Sequence, residues 1–230
     1  SIYFSDATEN PGSVYHYRAD TNTRTAMYTR PAGRLYSFAY TKWNPDLLYY
    51  VNANDKYIFS VELDTSGLTE KTIYMHTTYV RDIAFDQSNN LYFSEATGAG
   101  GDGKIWRVET ATTASLYYTV QLSDVDGFWA GHFTFGPDGS LYLSSGNRIP
   151  SSIYHVDMAA NTVTDIFYSP SASTTGITFG PEDKMYFADN GSNIYSLDLS
   201  TMVDKLVYSD PVKRIQDVGF REIAPVSSIP

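Results

Sequence analysis

Aromatic and β-branched residues return along this chain in short blocks separated by Gly, Pro, Asn and Asp, and nowhere follow a capped helical period. One triplet recurs as Ile2-Tyr3-Phe4, Leu48-Tyr49-Tyr50, Leu91-Tyr92-Phe93, Leu141-Tyr142-Leu143 and Met185-Tyr186-Phe187. These triplets begin 46, 43, 50 and 44 residues apart. A second column follows each: Val14-Tyr15, Ile58-Phe59, Ile105-Trp106, Ile153-Tyr154 and Ile194-Tyr195. A third reads Met27-Tyr28, Ile73-Tyr74, Leu116-Tyr117, Phe167-Tyr168 and Val207-Tyr208. The fourth precedes the triplet: Phe38-Ala39-Tyr40, Ile83-Ala84-Phe85, Phe133-Thr134-Phe135, Ile177-Thr178-Phe179 and Val218-Gly219-Phe220. Turn chemistry such as Asn44-Pro45-Asp46 and Gly136-Pro137-Asp138-Gly139 punctuates them. Four short strands in a unit of about 40–45 residues are the signature of a β-propeller blade.

The two ends of the chain complement each other. The first unit opens at its second strand, and the last leaves Val218-Gly219-Phe220 as a spare first strand. The pattern therefore predicts an all-β, five-bladed β-propeller of four-stranded antiparallel blades, closed by the C-terminal strand pairing in the first blade. Residues 1–230 are expected to form one domain, with 223–230 as a tail or linker stub. A start at Ser1 rather than Met, with no signal-peptide pattern, suggests a mature or excised fragment.

Composition narrows the function. Hydrophobic residues at 42% and aromatics at 15% exclude a disordered chain. The absence of cysteine excludes disulfides, a zinc–thiolate site and a cysteine nucleophile. A net charge of −10 and an isoelectric point near 4.7 speak against nucleic acid as a partner. No apolar run reaches the roughly 18 residues of a membrane-spanning helix, so membrane insertion is not expected. The stretch from Gly98 to Gly103 matches GxGxxG, but a strand follows it instead of a helix. No nucleotide cofactor is expected.

Candidate chemistry gathers where the strand pattern places one rim of the channel. The ends of the second strands supply Asp6, Asn52, Glu95, Ser145 and Asp189. The positions just before the first strands supply Ser37, Asp82, His132, Gly176 and Asp217. Carboxylates Asp6, Asp82, Glu95, Asp189 and Asp217 converging on one mouth could hold Ca²⁺, which takes about six to eight oxygens. The alternative, and the stronger of the two readings, is that they cap the turns that follow them by accepting backbone N–H groups. His132, Asn52 and the rim-loop residue His76 complete the candidate ligand set. The linker 119–131 outgrows its siblings and carries Asp124, Asp126, Phe128 and Trp129. Phe128 and Trp129 suit stacking on a sugar or apolar ligand, or equally a plug between blades.

The segments RDIAFDQSNNLYFSE (81–95), HFTFGPDGSLYLSSGN (132–147) and GITFGPEDKMYFADNGSNIYSLD (176–198) resemble NHL-type repeats. They are also similar to the repeats of gluconolactonase- and strictosidine-synthase-like propellers. That resemblance implies a metal-dependent lactonase or hydrolase with acidic or amide ligands near the starts of the innermost strands, a column that Asp82 and Asp217 approach.

Three functions follow as expectations. The first is a non-enzymatic binding or interaction module, a monomer or part of a larger chain, outside the cell, on its surface or in a periplasm. It would take a small molecule, glycan or protein at the rim face. The second is the metal-dependent lactonase-like enzyme. The third is a sugar-binding lectin, although a lectin with a repeated pocket would call for more uniform rim loops.

Overall fold

In the computed structural model, which describes residues 1–6, 8–52, 55–63, 68–95, 103–121, 131–146, 149–169 and 173–221, every unit read from the sequence is a four-stranded antiparallel sheet. The first blade holds β1 (Ile2–Asp6), β2 (Ser13–Arg18) and β3 (Thr23–Thr29). The second holds β4 (Leu35–Tyr40), β5 (Leu47–Asn52), β6 (Tyr57–Glu62) and β7 (Lys71–Met75). The third runs through β8 (Val80–Phe85), β9 (Leu91–Glu95), β10 (Gly103–Thr110) and β11 (Thr113–Val120). The fourth comprises β12 (Phe133–Phe135), β13 (Leu141–Ser144), β14 (Ser151–Asp157) and β15 (Thr162–Ser169). In the fifth are β16 (Thr175–Phe179), β17 (Met185–Ala188), β18 (Asn193–Asp198) and β19 (Val203–Ser209). The last strand, β20 (Ile215–Gly219), returns to the first blade and completes the order β20-β1-β2-β3.

The five-bladed ring and its closure are therefore as the repeat pattern predicts. Across the seam Tyr3 faces Gly219, Phe4 faces Val218 and Ser5 faces Asp217. The helical content among the described residues is one 3-10 turn, Pro181–Asp183. The segment 122–130, with Asp124, Asp126, Phe128 and Trp129, lies outside the described residues, as does the tail 223–230.

Burial explains the strand sequences. β1 is buried along its whole length, because the second strand of a blade is covered on both faces by neighbouring blades. Outer strands such as β3 and β19 are mostly exposed; β3 is correspondingly polar, whereas β19 leaves Val203, Leu206 and Val207 at the surface. One hydrophobic cluster fills each of the five blade junctions. Tyr92 and Phe135 meet between the third and fourth blades with ring centroids 4.7 Å apart. Phe4 and Tyr208 meet at the closing junction, 5.4 Å apart. Aromatic rings recur at these positions because a wedge between two twisted sheets is best filled by large, flat, rigid side chains.

Candidate functional site

The innermost strands carry an irregularity that the sequence does not announce. Near the start of β4, β8, β16 and β20 the pairing register slips by one residue, leaving Tyr36, Arg81, Gly176 and Gln216 as the extra residue of a bulge. A bulge bends its strand and re-aims the side chains on either side of it. At this level of the channel stand the buried side chains Ser37, Asp82, His132 and Asp217. Gly176 occupies the fifth place with φ +30°, and a Cβ there would overlap the Cα and Oδ1 of Asp217. Glycine is required at that position by close approach.

An inner strand is a sheet edge, so its channel-side N–H groups lack a ladder partner and must find another. The column of polar residues supplies it, one blade to the next. Asp217 Oδ2 accepts from the Phe38 N–H at 3.0 Å. Ser37 Oγ accepts from the Ile83 N–H at 3.4 Å and donates to Asp82 Oδ1. Asp82 Oδ2 accepts from the Phe133 N–H at 2.8 Å. Asp217 Oδ1 takes the Val218 N–H at 2.9 Å. Apart from the last, which lies within β20, these bonds latch neighbouring blades around the axis.

His132 stands apart from this scheme. It has no exposed surface, and its Nδ1 lies 3.7 Å from Asp82 Oδ2 without a hydrogen-bond partner among the described residues. Its Nε2 is 3.3 Å from the side-chain amide of Gln216. The ring stacks on Tyr36 at 5.7 Å and an interplanar angle of 13°, and the Arg81 guanidinium lies over Tyr36 at 5.4 Å. One ligand-capable atom from each of Asp82, His132 and Asp217 falls within 4.8 Å of the other two. Burial, and then the neighbouring Asp82 carboxylate, push the Asp217 carboxyl up to about 7, against the pull of His132 and two backbone N–H groups.

Beyond Asp82 and Asp217 the channel widens into a cavity of about 750 Å³. Its walls repeat a simple rule. The middle residue of each inner triplet is small (Ala39, Ala84, Thr134, Thr178, Gly219). The next residue is aromatic in every blade (Tyr40, Phe85, Phe135, Phe179, Phe220), which makes a five-membered collar. Exposed Lys42, Trp43 and Gln87 stand at the mouth beside Pro137 and Pro181, and Trp43 is 77% exposed. The cavity is thus lined by the turns that follow the inner strands. The sequence placed the channel entrance on the other face, with the loops after the second and fourth strands.

Of the site residues named from the sequence, the structure brings together Asp82, Asp217 and His132. The others hold local partners. Asp6 Oδ1 accepts from the N–H and hydroxyl of Thr8, both at 2.7 Å, and Lys213 Nζ lies 3.4 Å from Oδ2. Asp189 Oδ1 accepts from the N–H groups of Gly191 at 2.8 Å and Asn193 at 3.0 Å, capping its own turn. Glu95 accepts from Trp106 Nε1 at 2.9 Å and lies 3.9 Å from His76 Nε2. His76 is packed against Phe93 and Trp106 with Nδ1 3.2 Å from the Tyr74 hydroxyl, and burial lowers its pKa against the pull of Glu95. The Asn52 amide reaches Asp55 at 3.5 Å. Tyr36, Arg81 and Gln216 escaped the sequence reading, because a bulge is a property of two strands in register. The small-then-aromatic inner triplets were visible in the repeat columns and are the signal that finds the cavity.

No family model matches the sequence, and no relative is found among curated proteins. Solved structures do resemble the fold. A chain of a nidogen/laminin complex superposes with a TM-score of 0.63 at 12% identity, over 95% of this chain and 98% of that one. TolB from Acinetobacter baumannii gives 0.59 at 15% identity, over 92% of this chain and 53% of that one, so the present chain spans about half its length. A candidate 6-phosphogluconolactonase from Bacteroides fragilis gives 0.54 at 11% identity, over 94% and 96%. What these similarities establish is that the chain has a β-propeller fold.

Proposed function

We propose that the chain is a non-enzymatic ligand-binding propeller module that receives a small organic molecule or a glycan unit in its channel cavity. The observation that carries this is the 750 Å³ cavity with its five aromatic residues among a mixed polar and apolar lining, because binding sites for small ligands are concave and of about this size. The exposed Trp43 offers a stacking surface for a sugar or aromatic ring. Most of the buried polar groups above the collar are engaged in latching blades, which suits a scaffold whose chemistry is recognition. The nidogen/laminin complex offers an example of a propeller of this size in a protein assembly, and a protein segment entering the mouth is the partner variant of the same proposal. A module of this kind suits a secreted, cell-surface or periplasmic setting, given its acidic, cysteine-free body.

A second reading has one specific observation in its favour. The grouping of Asp82, His132 and Asp217 at the inner end of the cavity suits a metal-dependent lactonase-like hydrolase. Its repeats' resemblance to NHL, gluconolactonase and strictosidine-synthase propellers points the same way.

The test is titration calorimetry with a panel of 4-nitrophenyl glycosides, followed by Ala39→Trp and Thr178→Trp, which fill the channel from half-buried positions. Binding to the native chain that both variants abolish, without loss of their melting transitions, supports the binding module. Absence of binding across the panel refutes the glycan form of it. Turnover of simple lactones by the metal-loaded chain would replace it with the hydrolase.

A further inference from the structure

We propose that Asp82, His132 and Asp217 form a binding site for one divalent first-row transition-metal ion at the inner end of the cavity. This deepens the metal-dependent reading but stands apart from the organic ligand, since its test uses metal alone. The ion would take one oxygen from each carboxylate and Nδ1 of the imidazole.

Three independent features converge on this. The first is the donor set itself, in which three ligand-capable atoms from three different blades lie within 4.8 Å of one another and out of solvent. An ion at their centre would sit under about 3 Å from each, so small side-chain rotations bring the bonds to roughly 2.1 Å. The second is His132 Nδ1, fully buried, aimed at Asp82 and without a hydrogen-bond partner among the described residues. A buried imidazole nitrogen left unpaired costs free energy, and ligation is the use that would recover it. The third is the surrounding support. A ligating histidine commonly holds its other ring nitrogen in a hydrogen bond, and His132 Nε2 lies 3.3 Å from the Gln216 amide, whose oxygen and nitrogen are interchangeable by a flip. The carboxylates are oriented the same way: Ser37 and Phe133 hold Asp82, and Phe38 and Val218 hold Asp217. Each carboxylate oxygen keeps a further lone pair for an ion.

Chemistry also selects the ion. Calcium wants about six to eight oxygens in a roomy cage, whereas this site offers two carboxylates and an imidazole. Imidazole with carboxylate favours Zn²⁺, Mn²⁺, Co²⁺ or Fe²⁺. Asp82 and Asp217 line the cavity, so the ion has a path in from the mouth.

The experiment uses the full chain freed of metal by dipicolinate, then titrated with Co²⁺, Zn²⁺, Mn²⁺, Ca²⁺ and Mg²⁺ without organic ligand. Expected are one Co²⁺ per chain with a visible d–d spectrum, displacement by Zn²⁺, and melting raised by the transition ions but not by Ca²⁺ or Mg²⁺. His132→Gln should weaken Co²⁺ binding at least about 100-fold, and Gln216→Leu, which leaves all three ligands, about 10- to 100-fold. His155→Gln, a substitution elsewhere in the ring, should change nothing. Unmoved melting curves with no Co²⁺ spectrum overturn the site. So does undiminished binding in His132→Gln, or preference for Ca²⁺. If His132→Gln does not fold, the Gln216→Leu affinity decides alone.

Discussion

Truncation after Arg214 removes β20 and so opens the ring at its seam. The size of the effect follows from what that strand buries. Ile215 and Val218 are almost wholly buried in the closing cluster, packed with Ile2, Phe4, Ala188 and Ile194. Fully burying each such side chain stabilises by about 1.5–3 kcal/mol. Phe220, its ring tilted against Tyr186 with centroids 4.6 Å apart, adds a further contact. The strand also supplies the ladder to β1 and the Asp217 link to Phe38, at about 1 kcal/mol net per hydrogen bond. Together these reach the scale of a protein's whole net stability, roughly 5–15 kcal/mol. The truncated chain should therefore show no cooperative transition in urea by far-ultraviolet circular dichroism. A synthetic peptide covering residues 213–221, added in trans, should restore the transition in a concentration-dependent way. A truncated chain that unfolds cooperatively at the native urea midpoint would refute closure by β20 as a source of stability.

Tyr92→Ala should cost about 3–5 kcal/mol in urea denaturation, because its ring is wedged between Phe135 and Tyr117; a loss below about 1 kcal/mol would contradict that packing. Gly176→Ala should destabilise by more than about 1 kcal/mol and displace Asp217, since the new Cβ overlaps it; an unshifted melting temperature would contradict the close approach. Burial pushes the Asp210 carboxyl up, but Tyr208, the N–H groups of Val212 and Lys213, and Arg24 outweigh it and hold the pKa below its ordinary 3.8. A depressed folded-state pKa adds stability that is fully present above 3.8 and lost as pH falls below it, so the stability advantage over Asp210→Asn should shrink there; a pH-independent difference would sink the assignment.

The blades were legible because their packing demands leave a mark in every repeat. A strand covered on both faces needs aromatic and branched residues throughout, and Ile2-Tyr3-Phe4 or Leu141-Tyr142-Leu143 carries that requirement openly. Closure was legible from the same columns, as a strand missing at one end and spare at the other. The site was only half legible. Asp6, Glu95 and Asp189 share a strand-end position with Asn52, but the direction of a side chain at a strand end is decided by its own turn. Asp189 has the Gly191 and Asn193 N–H groups within reach and Asp6 has Thr8, so each is drawn into local capping. Asp82 and Asp217 sit beside bulges, which turn them toward the next blade. A bulge is invisible in one strand's sequence because it is a mismatch of count between two strands.

The residue types in that inner column can be understood from the donors each one meets. Asp82 receives two, the Ser37 hydroxyl and the Phe133 N–H, and Asp217 also receives two, from Phe38 and Val218. A carboxylate answers two donors with two oxygens, where an amide would turn one N–H₂ against a donor. Ser37 needs only a single hydroxyl, since it accepts from Ile83 and passes its proton toward Asp82. Gly176 is fixed by space, because Asp217 fills the volume a side chain would take. Latching thus accounts for three of the five positions and close approach for a fourth, without any ligand. His132 is the remainder: among the described residues it answers no backbone donor of the next blade, and its Nδ1 points at a carboxylate without bonding it. A position that serves only the latch would be better filled by serine or aspartate. The imidazole there is the one feature of the ring that stability does not explain, and it is the feature on which a metal ion would depend.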